Sequence, residues 1–125
     1  MDRKELEKYI METYNAEADF PWVRYPNYEV FRHCSNNKWF ALIMDIPKAK
    51  LGLSGNELLS VVNLKCDPIM TGTLQSEQGF FPAYHMSKEK WITAALDGSV
   101  DGDRLKMLLD ISYELTDKKI KKRKA

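Results

Sequence analysis

Two segments, one near each end of the chain, have the residue spacing of amphipathic helices. The segment between them is rich in apolar runs typical of strands. At the start, Asp2 and Glu5 form a capping-box pattern. Mainly apolar and aromatic residues, with the polar Thr13 and Ser112 among them, then recur on one face at helical spacing. They are Leu6, Tyr9, Ile10, Thr13 and Tyr14 in the first segment and Leu105, Leu108, Leu109, Ser112 and Leu115 in the second. The spacing predicts a first helix over about residues 3–15 and a last helix after Asp97-Gly98.

Between the two helices, runs dense in β-branched and aromatic residues predict strands. These runs span residues 28–33, 38–45, 61–65, 80–86 and 91–96. Turn signals at Ser35-Asn36-Asn37 and at Ser87–Lys90 predict two hairpins. Asp67-Pro68, an N-cap before a proline at the first helical position, predicts a short helix to about residue 76. The order predicts an α+β fold, an antiparallel sheet with two long helices packed on one face.

The length and composition suit one folded domain, which we expect to span residues 1–117 of the 125. Hydrophobic residues make up 44% of the chain, a globular rather than a disordered profile. No apolar run reaches the roughly 18 residues of a membrane span, and the opening MDRKELEKYI is too charged for a signal peptide. We therefore expect a cytoplasmic protein that does not bind membranes.

Basic residues are concentrated at the end of the chain. Six of the 19 Lys and Arg residues lie in the segment 118–125, at Lys118, Lys119, Lys121, Lys122, Arg123 and Lys124. All 18 acidic residues lie in residues 1–117, so the predicted domain carries a net charge of about −5 and the tail about +6. The tail is predicted to be disordered and able to contact phosphates. Because nonspecific affinity scales with the phosphates neutralised, DNA could bind only the tail or a local basic patch.

Several short segments resemble the successive motifs of the MmcQ/YjbR family. They are Leu64–Pro68, Pro82–Lys88, Trp91–Thr93, Leu96–Gly98 and Ser112–Leu115, with the Tyr25-Pro26 step and the Gly52–Gly55 loop earlier in the chain. Lys90 stands where members often have His, and Asn27-Tyr28 replaces a usual Phe-Gly pair. The resemblance covers essentially the whole chain. It implies a CyaY-like fold, an α-β-α sandwich, and DNA binding through two wing-like hairpins.

The second predicted hairpin carries the candidate binding residues. On a strand, His85 points to the face opposite Tyr84 and Met86. If those two neighbours face the helices, His85 lies on the open side of the sheet, near Lys88, Lys90 and Trp91. Such an edge could stack a base and contact phosphate. The alternative interpretation is that Trp91 completes the core and the lysines keep an edge strand soluble.

Two other functions compete with nucleic-acid binding. The acidic body favours a protein-interaction or small-ligand module that uses the open sheet face. A thiol enzyme could combine Cys66 with His85, but Asp67 is explained as a helix cap and a lone Cys is more often a buried apolar residue. We therefore predict no enzyme and no cofactor.

Metal binding is not expected either. Cys34 and Cys66 lack the spacing of a zinc site or a redox pair, so both are predicted to be free thiols. Frataxins share the CyaY-like fold and hold iron through acidic residues on the first helix. In this chain Glu5, Glu7 and Glu12 are interleaved with bases such as Lys4 and Lys8, which would neutralise a hard-cation site.

Overall fold

The computed structural model describes residues 1–117 and contains three helices and six strands within them. In chain order they are α1 (Arg3–Tyr14), β1 (Ala18–Asp19), β2 (Glu29–Arg32), β3 (Trp39–Pro47), β4 (Leu58–Lys65), α2 (Pro68–Leu74), β5 (Phe80–Pro82), β6 (Trp91–Ala95) and α3 (Gly102–Leu115), with a 3₁₀ turn at Lys48–Leu51. The caps explain where the helices begin. Asp2 and Glu5 form the predicted capping box on α1, and the Asp67 carboxylate accepts the Met70 N–H at the start of α2.

All six strands form one antiparallel sheet in the order β1-β2-β3-β4-β6-β5. β3 and β4 form the centre, where Ile43 pairs with Val62. The predicted α+β class and antiparallel sheet are confirmed. β1 is an additional short edge strand, paired with β2 through Ala18 and Phe31.

The two long helices cover one face of this sheet, as predicted. Their buried residues Leu6, Ile10, Leu105, Leu108 and Leu109 pack with Ile43, Val62, Leu64 and Ile92 from the strands. The Ser112 hydroxyl donates to the Phe40 carbonyl at 2.7 Å and accepts the Lys65 N–H at 2.9 Å. α3 is therefore joined to β3 and β4 by hydrogen bonds as well as by apolar contact.

The opposite face of the sheet carries a second apolar layer and is not open across its whole extent. Val30, Leu42, Met44, Ile46 and Val61 are buried there, and Trp22, Tyr28, Tyr84 and Met86 pack against them. The expectation of an open sheet face is thus corrected. The covering residues come from two irregular segments, 20–28 and 83–90, which fold back over the strands.

The second predicted hairpin is only partly correct. β5 and β6 pair antiparallel, with Phe81 opposite Thr93, but β5 ends at Pro82. Residues 83–90 form a loop, in which His85 has a left-handed backbone with φ of 63°. Tyr84 and Met86 pack on the face away from the helices, contrary to the orientation assumed from strand alternation.

The basic tail, predicted to contact phosphates, lies outside the described residues. Within residues 1–117, no helix is both long enough and apolar enough to cross a bilayer.

Candidate functional site

The loop 83–90 holds most of the predicted binding residues and is fixed to the fold at several points. The Lys88 ammonium donates to the Ala83 carbonyl at 2.9 Å. The Thr71 hydroxyl donates to the Glu89 carbonyl at 3.1 Å, and the Cys66 N–H donates to the Lys90 carbonyl at 2.8 Å. Lys88 and Lys90 are both exposed residues of this loop.

A buried polar network attaches the start of this loop to the sheet. Asn63 and Thr93 lie opposite each other on β4 and β6, both fully buried. Thr93 donates to the Asn63 side-chain oxygen at 2.5 Å and accepts the Tyr84 N–H at 3.0 Å, while the Asn63 amide donates to the Tyr84 carbonyl at 3.0 Å. Every member has a partner, which makes the network rigid rather than destabilising. It fixes the main chain directly before His85.

Trp91 lies in a depression with two lysines that sequence reasoning did not select. Lys38 and Lys65 line this lysine depression together with Trp91, and Trp39 and Thr116 complete its wall. Lys65 is the register partner of Trp91 on the neighbouring strand. Trp91 is half-buried, so it both contributes to packing and remains accessible.

His85 does not join Trp91 but lines a separate aromatic pocket of about 420 Å³. Its walls are formed by Trp22, Tyr25, Tyr28, Trp39, His85 and Met86, over a floor of Leu42 and Met44. The rings of Trp22 and Trp39 are perpendicular with centroids 5.4 Å apart, and Tyr25 stacks on Tyr28 at 4.7 Å. The sequence analysis assigned no binding role to the aromatic residues of the segment 20–28. Their clustering around Pro21 and Pro26 was the one available signal of this pocket.

A third depression adjoins the aromatic pocket on the side away from the lysine depression. Arg24 and Lys50 line this arginine depression, which shares Tyr25, Tyr28 and His85 with the pocket. On the opposite side, Trp39 is common to the pocket and the lysine depression. The three hollows therefore form a continuous strip across the sheet face that the helices leave free.

The structure does not bring Cys66 and His85 together. Cys66 is buried in the core under the helices, whereas His85 is exposed at the aromatic pocket on the other face of the sheet. Burial raises the pKa of the Cys66 thiol to about 11, with a smaller contribution from the neighbouring Asp67 charge. Within residues 1–117, no group of three or more His, Cys, Asp or Glu side chains is arranged to hold a metal ion.

Proteins similar to this chain in sequence and in structure are known. The model of the family described as YjbR matches residues 2–115. The Bacillus subtilis protein described as "Uncharacterized protein YyaQ" is 38% identical over 93% of this chain and 98% of its own length. A crystal structure of a Pseudomonas syringae protein has a TM-score of 0.91 and 41% identity, covering 93% of this chain and 99% of that one. Deinococcus radiodurans DR2400, described with a DUF419 domain, has a TM-score of 0.71 at 27% identity, over 94% of this chain and 80% of its own.

Proposed function

This chain belongs to the YjbR family, and on that premise we propose that it is a nucleic-acid-binding protein, with DNA as its ligand and no catalytic step of its own. The observation that supports this most is the lysine depression. It combines two cations, Lys38 and Lys65, with the accessible indole of Trp91, and Lys90 precedes that indole in the chain. Phosphate contacts from cations and stacking on an aromatic face are the two components of sequence-tolerant nucleic-acid binding.

The charge distribution over the domain supports the same surface. Arg24 and Lys50 add two cations to the strip beyond the lysine depression. Asp45 is the acidic residue that lines the strip within residues 1–117, and its carboxylate is bonded to Arg3 at 2.8 Å. Glu89 is a nearby exposed acid in the loop. An acidic domain can thus present a locally positive surface to a polyanion.

The end of the last helix supports a shared role for the strip and the basic tail. Thr116 lines the lysine depression, and the first basic residue of the tail, Lys118, follows two positions later in the sequence. We propose that the tail supplements the phosphate contacts of the strip. Its contribution would be sequence-independent and sensitive to salt.

Fluorescence anisotropy with a labelled DNA oligonucleotide at several salt concentrations tests this function. The variant Lys65→Glu/Lys90→Glu reverses one charge that lines the lysine depression and one at the residue before Trp91. We expect it to weaken binding by about tenfold or more at low salt and to reduce the slope of log K against log salt by about 2, about one for each lost phosphate contact.

The matched control is Lys4→Glu/Lys8→Glu, which makes the same charge change at two exposed positions of α1 on the other side of the sheet. We expect only a small loss of affinity for it. Equal losses in both variants would show a general charge effect and remove the assigned surface. If neither the full chain nor any variant binds DNA at low salt, the proposed function is wrong.

A further inference from the structure

We infer, as an extension of the proposed function, that the aromatic pocket receives one unpaired base of a single-stranded nucleic acid. Its volume of about 420 Å³ lies within the range of small-ligand sites, and its walls are mainly aromatic rings. Stacking of a base on such side chains contributes about 1–3 kcal/mol and tolerates any base, because every base has a π-face. The pocket therefore has the size and the chemistry for a planar ring.

Polar groups around the pocket are available for the edge of such a ring. Trp22, Trp39 and Ser87 line the pocket, and their side chains carry two indole N–H donors and a hydroxyl. The exposed imidazole of His85 lies at the same pocket and can donate or accept. A pocket of apolar walls with a few polar groups is typical of sites that orient a flat heterocycle.

The conformation of His85 is a second, independent observation. Asn15 and Asn37 are the other non-glycine residues with positive φ among residues 1–117, and asparagine tolerates this region. Histidine, like asparagine, is enriched among the non-glycine residues of this region, and the φ of His85 is 63°. The hydrogen bonds of Asn63 and Thr93 to the Tyr84 main chain hold the backbone next to it. These bonds therefore fix the direction in which the chain presents His85 at the pocket.

The charges on either side favour a strand over a free nucleotide. Lys38 and Lys65 lie beyond Trp39 at one end of the pocket, and Arg24 and Lys50 lie beyond Tyr25 at the other. A mononucleotide has phosphate on one side only, whereas a strand continues past the base in both directions. Duplex DNA keeps its bases paired and stacked inside, where a pocket cannot receive them without the cost of extrusion. The strip thus fits a single strand with one base inserted.

Anisotropy with two oligonucleotides of about twelve nucleotides tests this inference. One is a single strand of mixed sequence, and the other is an abasic strand with the same phosphates and no bases. We expect the full-length protein to bind the mixed strand about fivefold or more tightly than the abasic strand and than a duplex of the same sequence.

The variant Tyr25→Leu removes a half-exposed ring from the rim of the pocket without changing any charge. We expect a loss of about fivefold or more for the mixed strand and almost none for the abasic strand. The control is Phe20→Leu, at a similarly exposed aromatic residue of the same segment that does not line the pocket. It should bind both strands as the parent does.

The outcomes separate the two proposals. If Tyr25→Leu binds the mixed strand as tightly as the parent does, while binding still responds to Lys65→Glu/Lys90→Glu, the base-binding inference is overturned and the proposed function stands. If only the duplex binds, the base-binding inference alone is overturned, and if neither the strands nor the duplex bind, both proposals are overturned. A third arm uses Trp91→Phe, which leaves Trp22 and Trp39 as the tryptophans of the chain. If a mononucleotide quenches their fluorescence at concentrations as low as the mixed strand requires, the pocket is a free-nucleotide site and the strand inference is wrong.

Discussion

At the scale of single residues, the Arg3 guanidinium donates hydrogen bonds to four polar groups at once. It bonds to Glu7 at 3.0 Å, Glu29 at 3.1 Å, Asp45 at 2.8 Å and the Asn27 carbonyl at 2.6 Å. One cation therefore faces three carboxylates, and Glu29 is almost fully buried. Burial, together with the neighbouring Glu7, raises the pKa of Glu29 to about 7 despite the opposing effect of Arg3.

This pKa gives the free energy of unfolding a pH dependence of known sign. The folded chain holds a proton on Glu29 that the unfolded chain has released, so the associated stability is present below about pH 4.5 and is lost as the pH rises through about 7. Glu29→Gln keeps the neutral shape and removes the titration. In urea unfolding, the parent should lose about 3 kcal/mol more than the variant between pH 4.5 and pH 8. Parallel pH curves for the two proteins would contradict this assignment.

The Asn63–Thr93 pair gives a second prediction at the residue scale. Thr93→Val keeps the shape of the side chain but leaves the buried Asn63 side-chain oxygen and the Tyr84 N–H without their partner. We expect a loss of about 1–3 kcal/mol in urea unfolding and faster hydrogen exchange at the Tyr84 amide.

A matched variant for that prediction is Thr73→Val on α2, where the threonine is exposed and its hydroxyl donates to the Ile69 carbonyl of its own helix. Its free energy of unfolding should change by less than about 0.5 kcal/mol. If the Thr93 variant is no less stable than this one, the network does not hold the loop.

At the scale of elements, the start of β5 depends on a glycine at which two segments of the chain pack closely together. Gly79 has φ of 90°, and its carbonyl accepts the Ala95 N–H at 2.8 Å from β6. A Cβ at Gly79 would lie 2.6 Å from the Val100 side chain, just before α3. This glycine therefore lets β5 pair with β6 while the chain leading into α3 packs over it.

Gly79→Ala should consequently lower the free energy of unfolding by more than the backbone strain alone would. The comparison is Gly98→Ala, where φ is 92° but no atom lies within 4 Å of the added Cβ. We expect a loss of about 1–2 kcal/mol for Gly98→Ala and a further 1–3 kcal/mol or so for Gly79→Ala, measured by urea unfolding. Equal losses would show that Val100 moves aside without cost.

The element that sequence reasoning described incorrectly was the first strand of the second hairpin. Its alternating pattern runs to Met86, but Pro82 has no N–H to continue the ladder. Beyond Pro82, the Tyr84 N–H donates to the side-chain hydroxyl of Thr93 instead of to a main-chain carbonyl of a neighbouring strand. The hydrogen bond to this buried threonine therefore outweighs the preference of the local sequence for a strand.

At the scale of the whole molecule, the proposed surface and the tail add local positive charge to a domain whose residues 1–117 carry a net charge of about −5. A chain that ends at Asp117 keeps every described element and loses six bases. We expect its free energy of unfolding to stay within about 0.5 kcal/mol of the parent. In binding to single-stranded DNA, the slope of log K against log salt should fall by about 0.7 for each tail base that contacts a phosphate.

That truncation also tests how the two positive regions divide the binding. An unchanged slope would mean that the tail does not contact the nucleic acid. If the cut chain loses all binding while Lys65→Glu/Lys90→Glu loses none, the assignment of the strip is wrong and the tail alone binds.

The sequence by itself determined the helices, the antiparallel sheet and the family. A helix cap such as Asp2 or Asp67 acts on residues within the next three positions, and helical spacing is likewise read over a short window. Such signals survive in the sequence because the interactions behind them are local.

Only the tertiary structure decided which side chains meet on the free face of the sheet. Strand register puts Lys65 beside Trp91, and a fold-back of the chain puts Trp22 against Trp39. These contacts join residues far apart in sequence, so no local pattern distinguishes them from ordinary surface lysines and core aromatics. The direction of His85 was decided in the same way, by a buried threonine on a neighbouring strand.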